Sequence, residues 1–308
     1  MLEVIKPGPL SSVQDLGRRG MRHLGVSQAG ALDPLALRLA NALLANHENT
    51  AAIEITIGLC EFIFHAPANF VIAGADLNAC LNDTDIYPCW RYSAKAGDRL
   101  SFKQSRDGVR AYLLVEGGFL NIDQQLGSYS TDLMAGFGGL HGRALKVGDK
   151  LYYQQAQAKP ALGALQPSYE KLIHFTPGPH AQLVSPHVFD ILNQTIWKVH
   201  PNSNRMGIRL SSHKALTHNH SIATQAVHPG VIQLPPSGEP IILMNDCQTT
   251  GGYPIIGVIT EADMRHLSQL SAGDCLHLKS TSTTHTAKQR HRVKSHLNQL
   301  KLALNKKE

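Results

Sequence analysis

Residues 53–74, IEITIGLCEFIFHAPANFVIAG, hold the evidence that decides the fold. Three runs rich in β-branched and aromatic residues, IEITI, EFIFHA and NFVIAG, are broken by Gly58 and by Pro67. Such runs between turn-forming residues read as strands. The same texture continues to Tyr153 through DIYPCW, RLSF, VRAYLLVEGG and KLYY. No amphipathic helices alternate with these runs, which argues against a parallel α/β sheet. A mostly β chain built as a barrel or sandwich is expected. One short element recurs, as KAGDRLSF (95–102), KVGDKLYY (146–153) and SAGDCLHL (271–278). Each copy is a Gly-Asp turn entering a strand, so the two halves are expected to close alike.

Towards the N-terminus, Leu2–Lys6 reads as a first strand ended by Pro7-Gly8-Pro9. Residues 12–33, SVQDLGRRGMRHLGVSQAGALD, keep neither a period of 2 nor of 3.6. They carry four glycines, Asp15 and a basic cluster of Arg18, Arg19 and Arg22. This reads as a long ordered loop, a feature often tied to function. Asp33-Pro34 then opens a helix, with Asp33 as N-cap, Pro34 at the first helical position and Leu35, Leu39, Ala42 and Leu43 on one face. Residues 154–168, QQAQAKPALGALQPS, read as a linker. The second half holds a strand from Lys171, a helix over His187–Asn193, a strand over Thr195–His200, the element NSNRMGIRL (202–210) and three strands within 227–260. EADMRHLSQL (261–270) reads as a helix with Glu261 and Asp263 in its first turn. The expected domains are 1–153, the linker 154–168, 169–279 and a basic tail, 280–308.

Composition excludes several classes. The 308 residues are 43% hydrophobic and 17% charged, an ordinary soluble composition. No run of 18 apolar residues exists, and MLEVIKPGPL lacks a signal-peptide core, so a cytoplasmic protein without a membrane span is expected. The net charge of +6 sits wholly in the tail, where seven basic residues face only Glu308, leaving 1–279 neutral. A neutral body argues against nucleic-acid binding. The tail itself reads as a solvated, frayed terminus. Five cysteines without a C-x-x-C spacing fit reduced thiols. Seventeen histidines form no H-E-x-x-H or paired Cys/His arrangement, and His218 and His220 read as surface residues, so no metal is expected.

The densest polar stretch is Asn245–Pro254, NDCQTTGGYP, which follows the apolar run Ile241–Met244. Paired glycines leave backbone N–H groups uncovered, and such groups form anion-holding concavities. Gln248, Thr249, Thr250 and Asp246 add donors and acceptors, and Pro254 stiffens the exit at Tyr253. There is no Walker phosphate loop and no G-x-S-x-G elbow. GFGGLHGR (136–143) misses the dinucleotide spacing. What remains is a set of glycine-rich loops with Arg18, Arg143, Arg205 and Asp246. A guanidinium beside open amides suits a carboxylate or phosphate.

VQDLGRRGMRHLGVSQAGALD, GSYST (127–131) with GFGGLHGR, NRMGIRL and IQLPPSGEPIILMNDCQTTGGYP together resemble the biotin-dependent carboxyltransferase family. That family is also called allophanate hydrolase subunit 2 and includes the C subunit of bacterial 5-oxoprolinase. The resemblance covers nearly all of residues 3–279. It implies two cyclophilin-like β-barrel domains. It also implies a chain that works with the A and B subunits of 5-oxoprolinase in ATP-dependent opening of 5-oxoproline to glutamate. ATP, with Mg as counter-ion, would be the co-substrate, and a small amide the substrate. Asp246, Gln248, Thr249 and Tyr253 are then the candidate catalytic residues. Asp15, Arg18, Ser128, Thr131, Arg143, Arg205, Thr250, Gly251 and Gly252 are the candidates for binding substrate or phosphate. Other members imply two alternatives: a carboxyltransferase of the urea-carboxylase type using biotin carried by another protein, or a non-catalytic regulator binding a kinase-inhibitor-like partner. The chain departs from the family pattern at Cys247, where Arg is usual, and at Asn204, where Asp is common.

Overall fold

A computed structural model describes residues 1–305 apart from Ala215 and Asn219. The chain is mostly β and divides into two compact units. The first comprises residues 1–19, 29–168 and the end of the chain from Ser295. The second comprises 20–28 and 169–294.

The first unit is two six-stranded sheets around one core. One sheet contains Leu2–Pro7, Gly58–Phe64 and Arg99–Gln104, and the other Leu10–Gln14, Ala52–Thr56, Ala68–Asp76, Trp90–Ala94 and Asp107–Val115. Strand alternation explains which side chains meet. Leu2, Val4, Phe62 and Phe64 from one sheet face Val13, Ile53, Ile55, Phe70 and Leu113 from the other. Glu54 and Tyr112 point the opposite way, beneath the helix Pro34–Leu43. There Tyr112 Oη donates to Glu54 Oε2 at 2.7 Å and accepts from the Asp33 amide at 2.8 Å. Burial holds the Tyr112 phenol well above its ordinary pKa, so it stays a neutral donor. Asp33 caps the helix as expected, accepting from Leu35 N and Ala36 N at 3.1 Å.

The second unit is a closed barrel of seven strands: Leu172–Pro177, Ile255–Ile259, Val231–Gln233, Ile241–Leu243, Gly207–Ser211, Ile196–Val199 and Cys275–Ser280, in spatial order. The recurring Gly-Asp element forms the same turn three times. Asp98, Asp149 and Asp274 accept from the amide three residues earlier at 2.7, 2.8 and 2.8 Å. Gly97, Gly148 and Gly273 all have φ above +80°, the reason glycine stands there.

Four local expectations change. Residues 12–14 belong to a strand rather than to the start of the expected loop, because Leu10–Gln14 pairs along Ala52–Thr56. The segment 154–168 lies against the first unit: Leu162–Gly163 pairs with Trp90 and Arg91, and Gln166 exchanges hydrogen bonds with the Gly74 backbone at 2.7 and 2.9 Å. The helix at 261–270 shrinks to Met264–Leu267, and the Asp263 carboxylate serves His174, taking its amide at 2.5 Å and Nδ1 at 2.8 Å. The tail is a helix, Thr283–Asn305, rather than a frayed end. Its Ala, Leu, Lys, Gln and Arg content favours helix. In the second unit it is held where His285 lies 4.8 Å from the His174 ring, and in the first where Lys301 meets Glu48 at 3.1 Å. Lys306, Lys307 and Glu308 lie outside the described residues. No helix among the described residues is long and apolar enough to cross a membrane.

Candidate active site

In the second unit, the strand Ile241–Leu243 delivers Asp246 to the end of the barrel wall. Arg205, two residues before the neighbouring strand, meets it in a fork. Nε reaches Oδ2 and Nη2 reaches Oδ1, both at 2.8 Å, with both side chains buried. The Asp246 amide closes the same link onto Arg205 O at 3.0 Å. Planar guanidinium and carboxylate match in this geometry, which fixes orientation as well as charge. Arg205 and Asp246 thus form a rigid base.

Above that base the chain turns outward. Cys247 is fully buried among Val227, Val231, Leu243 and Ile255. Burial pushes its thiol pKa up against the pull of Arg22, so it is a packing group and no ready nucleophile. Gln248, Thr250 and Gly252 are exposed, and Thr249 is half-buried. Thr250–Gly251 pairs with Gln225–Ala226, and the Val227 amide donates to Thr249 O at 2.9 Å. The two glycines differ. A Cβ on Gly251 would sit 2.6 Å from Gln233 Nε2, whereas one on Gly252 would meet nothing closer than Thr224 Oγ1 at 3.6 Å. Tyr253 projects into solvent at 43% exposure, so its ring is free to cover or contact a guest. The Leu234 amide fixes the exit on Pro254 O at 2.9 Å.

Two groups outside the expected set belong here. Gln233 is 2% exposed, and its Nε2, facing Gly251, has no hydrogen-bond acceptor among the described residues. The signal was an amide inside the apolar strand VIQ. Arg22 donates through Nη2 to Val227 O at 2.7 Å and Gln248 O at 2.6 Å. Nothing in its spacing separates it from Arg18 and Arg19.

The first unit holds the remaining predicted residues, and each is hydrogen-bonded within that unit. Asp15 Oδ1 accepts from Ser128 Oγ and Ser130 Oγ at 2.6 Å and from Gly17 N at 2.8 Å, while Oδ2 takes Tyr129 N at 2.8 Å. Thr131 Oγ1 donates to Val13 O at 3.0 Å. Arg18 is 1% exposed, lies over the Phe137 ring at 4.4 Å and donates to Ser130 O and Gln125 O. A Cβ on Gly138 would strike Ser130 O and the Arg18 guanidinium, so this glycine permits close packing. Arg143 forks onto Asp149 at 2.7 and 2.9 Å and holds that carboxyl below its usual pKa. Each of the three arginines expected to hold phosphate is therefore bonded inside its own unit. Among the described residues, no three His, Cys, Asp or Glu side chains gather closely enough to hold a metal ion.

Comparison with known proteins bears on this arrangement. Residues 24–280 match the model of the family described as carboxyltransferase domain, subdomain A and B. The chain is 40% identical over 97% of its length to a protein from Escherichia coli named as the C subunit of 5-oxoprolinase, of which 97% is covered. It is 35% identical to the protein of the same name from Haemophilus influenzae, over the whole of both chains. The crystal structure of Kluyveromyces lactis urea carboxylase superposes with a TM-score of 0.88 at 30% identity over 97% of this chain, which spans only 29% of that enzyme.

Proposed function

This chain belongs to the carboxyltransferase domain, subdomain A and B, family, and from that premise we propose that it is the C subunit of an ATP-dependent 5-oxoprolinase. Full-length likeness to two proteins named as that subunit supports the reading. The observation that carries it in the structure is the turn 248–253, polar and open to solvent above the buried Arg205–Asp246 fork.

The chemistry asked of the site is activation of a lactam. The lactam oxygen attacks the γ-phosphorus of ATP and ADP leaves. Water then adds to the activated carbon, the ring C–N bond breaks, and phosphate and glutamate are released. An amide oxygen is a weak nucleophile, so the site must orient it and stabilise developing charge. In this reading Thr249, Thr250 and the Gly251–Gly252 backbone contact that oxygen, Gln248 and Tyr253 hold the ring, and Asp246 acts through Arg205 as the base of the turn. Arg18, Arg143 and Arg205 are engaged internally, so phosphate contacts fall to the assembled complex with homologues of the 5-oxoprolinase A and B subunits, in the cytoplasm.

The decisive experiment is reconstitution with those homologues and measurement of 5-oxoproline-dependent ADP release. Thr249→Val is expected to lower kcat by about 10²-fold, the scale of one lost oxyanion donor, with an unchanged unfolding midpoint. Full activity in that variant removes the turn from the mechanism. The family model and the urea carboxylase likeness favour a second reading, carboxyl transfer with biotin as a visiting substrate. Carboxylation of urea by this chain with a biotinylated carrier, in place of ADP release, would select it.

A further inference from the structure

The ribbon that presents the turn is short. Gln225–Ala226 and Thr250–Gly251 make only two residue pairs, extended by the single bond from Val227 N to Thr249 O. An isolated two-stranded ribbon of this size is marginal in water. Its open end is closed by Arg22, from the loop 20–28. One nitrogen, Nη2, lies 2.7 Å from Val227 O, just after one strand, and 2.6 Å from Gln248 O, just before the other. Nε adds a contact to Val227 O at 3.2 Å and Nη1 one to Cys247 O at 3.5 Å. Nη2 also covers the buried Cys247 thiol at 3.7 Å.

We propose that Arg22 is the positioning residue of the candidate site, a cationic clamp that holds the 248–252 turn in its presenting shape. A charged donor makes stronger hydrogen bonds to carbonyls than a neutral one, and a planar fork spans two strands where a point charge cannot. Gathering carbonyl oxygens onto a cation also offsets their negative potential beside a guest that gains negative charge during reaction. Neighbouring Arg19 is exposed and, among the described residues, makes none of these hydrogen bonds, so the role belongs to one position of the basic cluster.

The inference deepens the oxoprolinase reading and rests on it only for the activity readout. The test compares Arg22→Ala, Arg22→Lys and, as control, Arg19→Ala in the full chain and in the reconstituted complex. Amide hydrogen exchange over 225–227 and 248–252 is expected to accelerate at least about tenfold in Arg22→Ala, partly in Arg22→Lys and not in Arg19→Ala. Alkylation of Cys247, followed by peptide mass spectrometry, is expected to rise in the same order. In the complex, kcat should fall with the turn's disorder as the contacts of Thr249 and Thr250 to the reacting oxygen are lost, and KM for 5-oxoproline should rise as Gln248 loses its hold on the ring. Unchanged exchange in Arg22→Ala and Arg22→Lys overturns the clamp whatever the activity. Faster exchange with wild-type kcat overturns its part in the chemistry. A wild-type complex without 5-oxoproline-dependent turnover overturns the functional reading instead, and exchange alone then decides on Arg22.

Discussion

Asp15 and Asp246 are both buried carboxylates beside glycine-rich, arginine-bearing loops, yet their surroundings differ in kind. Asp15 is satisfied by neutral donors, two serine hydroxyls and two amides, all within a closed knot of the first unit. Asp246 is satisfied by a guanidinium fork, and beyond the buried Cys247 the chain opens to solvent at Gln248, Thr250, Gly252 and Tyr253. The first arrangement uses its polar groups internally and leaves little for a guest. The second anchors its polar groups from below and leaves their outer sides open. Glycines and arginines in one loop are therefore insufficient evidence of a site. What matters is whether the hydrogen-bonding capacity is consumed by the fold.

The contrast can be broken by substitution. The largest effect is expected from Arg205→Met, which strands a buried carboxylate and should destabilise the second unit by about 3–5 kcal/mol. Adding Asp246→Leu should recover most of that loss. Urea unfolding followed by a probe in the second unit measures both, and a double variant no better than the single one would deny that the fork is a self-contained pair. Next, Asp15→Ala should cost the first unit roughly 2–3 kcal/mol, because its four donors lose a buried acceptor. It should leave hydrogen exchange over 248–252 unchanged, which sharpens the separation of knot and turn.

A smaller effect, about 1 kcal/mol, is expected for Asp33→Ala, the loss of an N-cap remote from both loops. It calibrates the first unit's response to an ordinary lesion. The smallest belongs to Arg143→Met, below about 1 kcal/mol for a partly exposed pair, and it carries a pH signature. The Arg143 guanidinium holds the folded Asp149 carboxyl below its unfolded pKa. That contribution is complete above the ordinary carboxylate range and fades as pH falls through the depressed folded value. The gap in unfolding midpoint between wild type and Arg143→Met should thus be full at pH 7 and vanish in strong acid. A gap that grows on acidification would show that Asp149 is not stabilised by this pair.

Features governed by near neighbours in the chain were legible in the amino acids. The three Gly-Asp turns need only a glycine with positive φ and a carboxylate three residues from an amide, and all three formed as read. The Asp33-Pro34 cap is equally local, as is the alternation that sends Phe62 and Phe64 inward while Glu61 and Ile63 face outward. The density of polar groups and paired glycines located NDCQTTGGYP, and family membership followed from the match over residues 24–280 and the full-length relatives. Tertiary structure alone decided which arginines were already engaged. Arg18, Arg22, Arg143 and Arg205 look interchangeable in sequence because a guanidinium's role is set by acceptors that can lie far along the chain, such as Val227 O, 205 residues from Arg22. The charged tail is helical by its own composition, but the contacts that hold it, Lys301 with Glu48 and His285 with His174, are contained in no local pattern.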